Sequence, residues 1–117
     1  MSEERRKQPR HDTLHLTYLC VDEAGSIVQE GMGRTLNVSE GGILLETHFA
    51  MTAGGSLVVQ IALEDELISL QGRIIYCRQQ EGGQVCHSGV HFTGIPAEAR
   101  EALRRFIAIF ADRQHRA

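Results

Sequence analysis

The chain has little of what nucleic-acid-binding surfaces are usually built from. Its 117 residues include no tryptophan, only 5% are aromatic, and a single lysine, Lys7, stands among twelve basic residues. Single-stranded nucleic acids bind to stacked aromatic side chains in a cationic groove, and duplex DNA needs a broad basic surface. With a formal net charge of −3, the composition therefore disfavours DNA and general RNA binding.

Long hydrophobic runs and secretion signals are also missing. No segment approaches the roughly 20 apolar residues of a membrane-spanning helix, and the polar residues 1–4 do not resemble a signal peptide. We therefore expect a cytoplasmic protein without membrane insertion, in which Cys20, Cys77 and Cys86 remain thiols. The length corresponds to one domain with one hydrophobic core.

Recognisable catalytic and metal-binding patterns are absent as well. The sequence contains no nucleophile elbow, phosphate-binding loop or H-E-x-x-H pair. Cys86, His87 and His91 are close in sequence, but strand alternation places Cys86 opposite both histidines, and no C-x-x-C pair exists. The acids at 64–66 are expected to lie in a solvated loop. These features predict a protein that is not an enzyme and holds no metal or cofactor.

Alternating apolar and polar residues predict a mainly β fold. The predicted strands span residues 13–21, 27 or 32 to 38, 43–47, 57–63, 67–78 and 85–93. In the second strand, Arg34 falls on the face of Leu36 and Val38, and we expect it to contact either an acid or a ligand. In the fifth, Tyr76 falls on the apolar face, and Gly72 marks a bulge or bend.

A helical pattern follows Pro96, which is well placed to begin a helix. One stripe of the predicted helix, which ends near residue 112, consists of Ala99, Leu103, Phe106, Ile107 and Phe110. This spacing is typical of a helix that packs on the sheet.

The basic residues are concentrated near the start of the chain. Residues 5–11 carry four of the twelve basic residues and no acid. Because residues 1–11 have no apolar pattern, we expect a flexible arm. A local cationic segment on a mildly acidic body suits a small anionic ligand.

A polar edge and a glycine pair follow the second strand. Asn37 and Ser39 are two residues apart and share a strand face. Gly41 and Gly42 can adopt backbone angles closed to other residues, or let a ligand approach the main chain. By itself this composition is also typical of a plain hairpin turn.

Together, the basic segment and the polar edge form a family pattern. Arg6 and Arg10 give R-x-x-x-R, and Asn37, Ser39 and Gly42 give [D/N]-x-S-x-x-G. With the later segments 41–45, 72–76 and 89–92 in the same order, the chain resembles the PilZ family over nearly its whole length. The resemblance implies a six-stranded antiparallel β-barrel, with a flexible N-terminal arm and a C-terminal α-helix, that receives the bacterial second messenger cyclic di-GMP.

The resemblance also implies roles and boundaries. The implied ligand-binding residues are Arg5, Arg6, Arg10, Asn37, Ser39, Gly41 and Gly42. Arg5 is an addition before the motif that is expected to touch a second stacked dinucleotide. Asn37 stands where many members have aspartate, which removes a charge partner for the arm.

In this interpretation, residues 1–11 form the arm, 12–95 the barrel and 96–112 the helix. The arm closes over cyclic di-GMP and relays the signal to a downstream protein partner. Two alternatives are an interaction adaptor of the same fold that does not bind cyclic di-GMP, and a small nucleic-acid-binding barrel.

Overall fold

The computed structural model describes residues 15–63 and 66–116 and contains every predicted strand and the helix. The elements are β1 (His15–Val21), β2 (Ile27–Val38), β3 (Gly42–Thr47), β4 (Ser56–Leu63), β5 (Glu66–Gln79), β6 (Cys86–Gly94) and α1 (Ala97–Arg116). The helix starts after Pro96 and continues beyond the end predicted near residue 112. The arm predicted for residues 1–11 lies outside the described residues.

The strands close into an antiparallel barrel in the order β1-β2-β3-β6-β5-β4. Consecutive strands pair through short turns, except for β3 and β4. β3 pairs with β6 instead, and the pairing of β1 with β4 closes the barrel. This topology and the C-terminal helix confirm the predicted fold class.

Side chains that alternate along each strand fill the barrel, and α1 completes the core. Tyr18, Leu45 and Leu70 are fully buried, and Leu103 and Phe106 of the helix are only 2% exposed. The core thus combines every second strand residue with the predicted apolar stripe of α1.

Ion pairs from Arg104 and Arg105 attach α1 to the barrel. Nε of Arg104 lies 3.3 Å from Oε2 of Glu40, in the turn between β2 and β3. Arg105 pairs with Glu66 at the start of β5. Glu66 belongs to β5 and not to the loop predicted for the acidic run, but its side chain stays exposed, as predicted.

A β-bulge in β2 changes which residues face the core. The register with β3 shifts between Thr35 and Asn37, so that Leu36 is the additional residue. Thr35 and Val38 are buried, whereas Arg34 points outward. The prediction that Arg34 shares the face of Val38 is wrong, because the bulge reverses the alternation between them.

A second bulge, in β5, turns Tyr76 to the outside. The register with β6 shifts between Ile74 and Tyr76. Ile74 is buried, but Ile75 and Tyr76 are 55% and 37% exposed. The prediction that Tyr76 belongs to the apolar face is therefore wrong. Another shift, at Gln71 and Gly72, confirms the irregularity predicted at Gly72.

Candidate functional site

The two bulges border an open groove of about 320 Å³ on the outside of the barrel. The groove crosses β2, β3, β6 and β5. It is lined by Asn37, Val38, Ser39, Gly41, Gly42, Ile43, Leu44, Ile75, Tyr76, Gly89, Val90 and His91. All four predicted site residues in the described part of the chain thus meet in one place. Arg5, Arg6 and Arg10 lie outside the described residues.

Asn37 and Ser39 form the polar edge of the groove. Oδ1 of Asn37 accepts a hydrogen bond from the backbone N–H of Val38 at 3.0 Å. Oγ of Ser39 accepts one from the backbone N–H of Gly41 at 3.2 Å. These bonds use the acceptor atoms and fix both side chains. Within the described residues, the amide NH₂ of Asn37 and the hydroxyl hydrogen of Ser39 have no partner and can donate to a ligand.

The glycine pair forms the floor, although not through unusual backbone angles. Neither Gly41 nor Gly42 is among the described glycines with positive φ, which are Gly25, Gly54, Gly82 and Gly83. The interpretation that they adopt backbone angles closed to other residues is therefore wrong. The carbonyl of Gly41 accepts a hydrogen bond from the N–H of Phe92 at 2.9 Å, which holds the turn against β6.

Tyr76 forms the wall opposite the polar edge. Its ring lies against Gly89, its cross-strand partner, where an added β-carbon would be 2.4 Å from Cε2. The guanidinium carbon of Arg78 is 5.0 Å from the centroid of the ring, a cation–π contact. The wall is thus an aromatic ring that packs against Gly89 and makes a cation–π contact with Arg78. The sequence does not indicate this wall, because the bulge that exposes Tyr76 leaves no signal in the alternation.

Beside the groove, Glu46 contacts one basic side chain on each of the two neighbouring strands. Its Oε1 lies 3.0 Å from an Nη of Arg34, and its Oε2 lies 3.1 Å from Nε2 of His87. The hydrogen bond from His87, opposed by burial and assisted by Arg34, holds the pKa of Glu46 below its usual value. Arg34 thus contacts an acid, one of its two predicted partners.

Cys77 lies beside Cys86, but the cysteines and histidines of the described residues do not meet in one cluster. Cys20 and Cys86 are buried free thiols, and burial raises the pKa of each. Cys86 faces the core, whereas His91 is exposed. Within residues 15–63 and 66–116, no three His, Cys, Asp or Glu side chains are placed to hold a metal ion. Nor does any helix there have the length and hydrophobicity needed to cross a membrane.

Comparison with known proteins identifies the architecture. A sequence model of the PilZ domain matches residues 4–108. No curated protein sequence matches the chain significantly.

Solved structures share its fold at low identity. MotI/DgrA, an inhibitor of motility from Bacillus subtilis, has a TM-score of 0.60 and 18% identity over 86% of this chain. The PilZ domain of CeSA, from a cellulose-synthesizing bacterium, has a TM-score of 0.57 and 18% identity over 81% of this chain and 89% of its own. The PilZ domain of YcgR from Escherichia coli, solved with cyclic di-GMP, has a TM-score of 0.59 and 10% identity over 93% of this chain and 96% of its own. This chain spans only 50% of the length of the motility inhibitor.

Proposed function

Because the chain belongs to the PilZ domain family, we propose that it is a non-enzymatic receptor that binds cyclic di-GMP in the groove between Asn37 and Tyr76. The observation that carries the proposal is the polar edge. Asn37 and Ser39 are held by their acceptor atoms, and their donors remain available at the groove. The structural similarity to the PilZ domain of YcgR with cyclic di-GMP adds support.

The two walls of the groove match the two kinds of surface on the ligand. Cyclic di-GMP has hydrogen-bond acceptors on its guanine edges and phosphates, and Asn37 and Ser39 offer donors. Its guanines also have flat faces, and Tyr76 offers an exposed aromatic ring for stacking. Between them, Gly41, whose missing side chain leaves open space, lets the ligand approach the main chain.

The N-terminal arm is long enough to bring its positively charged arginines to the groove. His15 pairs with Arg34, three residues before Asn37, so the described chain begins near the polar edge. Arg10 lies five residues before His15, and five residues of extended chain span about 17 Å. The polar edge is one strand spacing from β1, about 5 Å, and the wall on β5 is four spacings away, about 19 Å. Arg10 can therefore reach a ligand at the polar edge, and Arg6, four residues further along the arm, can reach the wall on β5.

Closing the arm must offset the loss of its conformational freedom. Coupled ordering of a segment costs about 2–5 kcal/mol. Arginine can form bidentate contacts to phosphate or to guanine O6 and N7, each worth about 1–3 kcal/mol. Two such contacts, from Arg6 and Arg10, are of the size needed. Arg5 would then contact a second stacked dinucleotide.

The ligand-covered groove and the closed arm would form a new surface for a downstream protein. The main alternative is a PilZ-fold adaptor that binds its partner without cyclic di-GMP. The similarity to MotI/DgrA, named as an inhibitor of motility, is the observation that favours it.

Calorimetric titration with cyclic di-GMP, GMP and single-stranded RNA separates these functions. We expect saturable binding of cyclic di-GMP alone, abolished or strongly weakened in an Arg6→Ala/Arg10→Ala double variant. A folded protein that binds none of the three would support the adaptor. Binding of RNA but not of cyclic di-GMP would support a nucleic-acid-binding barrel.

A further inference from the structure

We propose that His91, which belongs to neither family motif, is an additional ligand contact and makes ligand affinity depend on pH. The inference rests on the proposed function, because it concerns the same groove. His91 lines the groove together with Asn37 and Ser39. It therefore places a titratable side chain of the barrel beside the ligand, whereas the other cations proposed to contact the ligand belong to the arm.

The neighbours of His91 fix its direction. Val90 and Phe92 are 4% and 7% exposed and point into the core, so the intervening imidazole must point outward. Its cross-strand partner on β3 is Gly42, and Gly89 precedes it on the same face of β6. Both are glycines, so no neighbouring side chain on β3 or β6 covers the ring from these positions.

The charged groups around His91 are already engaged elsewhere. On β5, its cross-strand partner Arg73 donates a hydrogen bond from Nη1 to the carbonyl of Gly54 at 2.9 Å. The nearby acids are Glu40, paired with Arg104 of α1, and Glu46, paired with Arg34 and His87; Arg78 lies over Tyr76.

The backbone of His91 is paired in the sheet, but its imidazole has no hydrogen-bond partner within residues 15–63 and 66–116. An anion in the groove would thus meet an imidazole without an acid bound to it. Histidine is the side chain that ordinarily changes charge between pH 5 and 8. As an imidazolium it donates two hydrogen bonds, and a charge-assisted bond to phosphate is stronger than a neutral one. Ligand binding then favours the protonated ring, so affinity falls as the pH rises.

The test compares cyclic di-GMP affinity at about pH 6 and about pH 8. Because His11 in the arm also titrates, every variant carries His11→Gln. The protein that carries only His11→Gln is the reference, and it should bind cyclic di-GMP about tenfold more tightly at the lower pH. His91→Ala and His91→Gln should lose most of this dependence. The matched control, His48→Ala, removes an exposed histidine from the opposite end of β3 and should retain it.

The outcomes separate this inference from the proposed function. If the His91 variants bind and keep the full pH dependence, or if the reference protein binds equally at both pH values, the inference is wrong and the receptor function stands. If the reference protein binds at neither pH, both fail. As an independent readout, the imidazole Cε1–H resonance of His91 should move towards its protonated position when cyclic di-GMP is added near pH 7. An unchanged resonance with bound ligand would contradict the contact.

Discussion

The backbone of Val90 occupies the space that a side chain at Gly42 would need. A β-carbon on Gly42 would lie 2.2 Å from the carbonyl oxygen of Val90, well inside van der Waals contact. The last glycine of the Asn37–Gly42 motif thus has a packing role that does not depend on ligand. Gly41 differs, because among the described residues its β-carbon would meet only Oγ of Ser39, at 3.9 Å.

Substitution of this glycine should therefore destabilise the barrel. We expect Gly42→Ala to lower the free energy of unfolding by about 1–3 kcal/mol, because β3 and β6 must move apart. Gly41→Ala should leave stability nearly unchanged. Urea unfolding of both variants measures the difference, and equal stabilities would contradict the packing role of Gly42.

The arm arginines should contribute to affinity and not to stability. Arg10→Ala or Arg6→Ala should weaken cyclic di-GMP binding by about 1–3 kcal/mol, roughly ten- to more than a hundredfold. Arg100→Ala removes an exposed arginine of α1 and provides the matched control. Calorimetry and thermal unfolding measure the two quantities. An Arg10→Ala variant that binds as tightly as the parent would argue against the proposed role of the arm.

Arg5 should affect stoichiometry. If it contacts a second dinucleotide, Arg5→Ala should lower the ratio of ligand to protein in calorimetry, with little effect on the first binding event. A ratio of one in the parent protein would show that Arg5 has no such role.

Tyr76 should act as a stacking surface. Tyr76→Ala should weaken binding by about 1–3 kcal/mol, the usual range for base–aromatic stacking, whereas Tyr76→Phe should bind nearly as well as the parent. If the phenylalanine variant loses as much affinity as the alanine variant, the hydroxyl group and not the ring face is responsible.

The Glu46 network should make stability depend on pH. Because the pKa of Glu46 is lowered in the folded state, its contribution is complete above the ordinary carboxyl pKa, about 4.3. It is lost as the pH falls through the folded-state value. Glu46→Gln should be less stable than the parent by about 1 kcal/mol or less near neutral pH. Urea unfolding from pH 7 to about pH 3 should show this difference shrinking, and a difference that grows on acidification would contradict the assignment.

Strand pattern and motif spacing were sufficient to predict the architecture, but not the groove. In β6, regular alternation correctly separated buried Cys86, Ser88, Val90 and Phe92 from His87 and His91. At Leu36 and Ile75, a single extra residue reverses the alternation, and nothing in the local composition marks it. The outward positions of Arg34 and Tyr76 therefore depend on strand register, which is a property of the assembled barrel.

Long-range contacts were equally inaccessible from local patterns. Glu101 and Arg104 are one turn apart and pair at 3.9 Å, as expected from helix geometry. The pairing of Arg105 with Glu66, however, joins residues that are distant in the chain. Local periodicity contains no information about such a pair.

The closed hydrogen-bonding cycle of the six strands restricts how a partner protein could bind the barrel. Each strand has a neighbour on both sides, so the described barrel offers no edge to which a partner could add a strand. A partner must instead recognise side chains, or the ligand itself, on a scaffold whose backbone is already paired. If the proposed signalling function holds, partner specificity should be exchangeable between related barrels by transferring surface residues alone, without altering the strands that carry them.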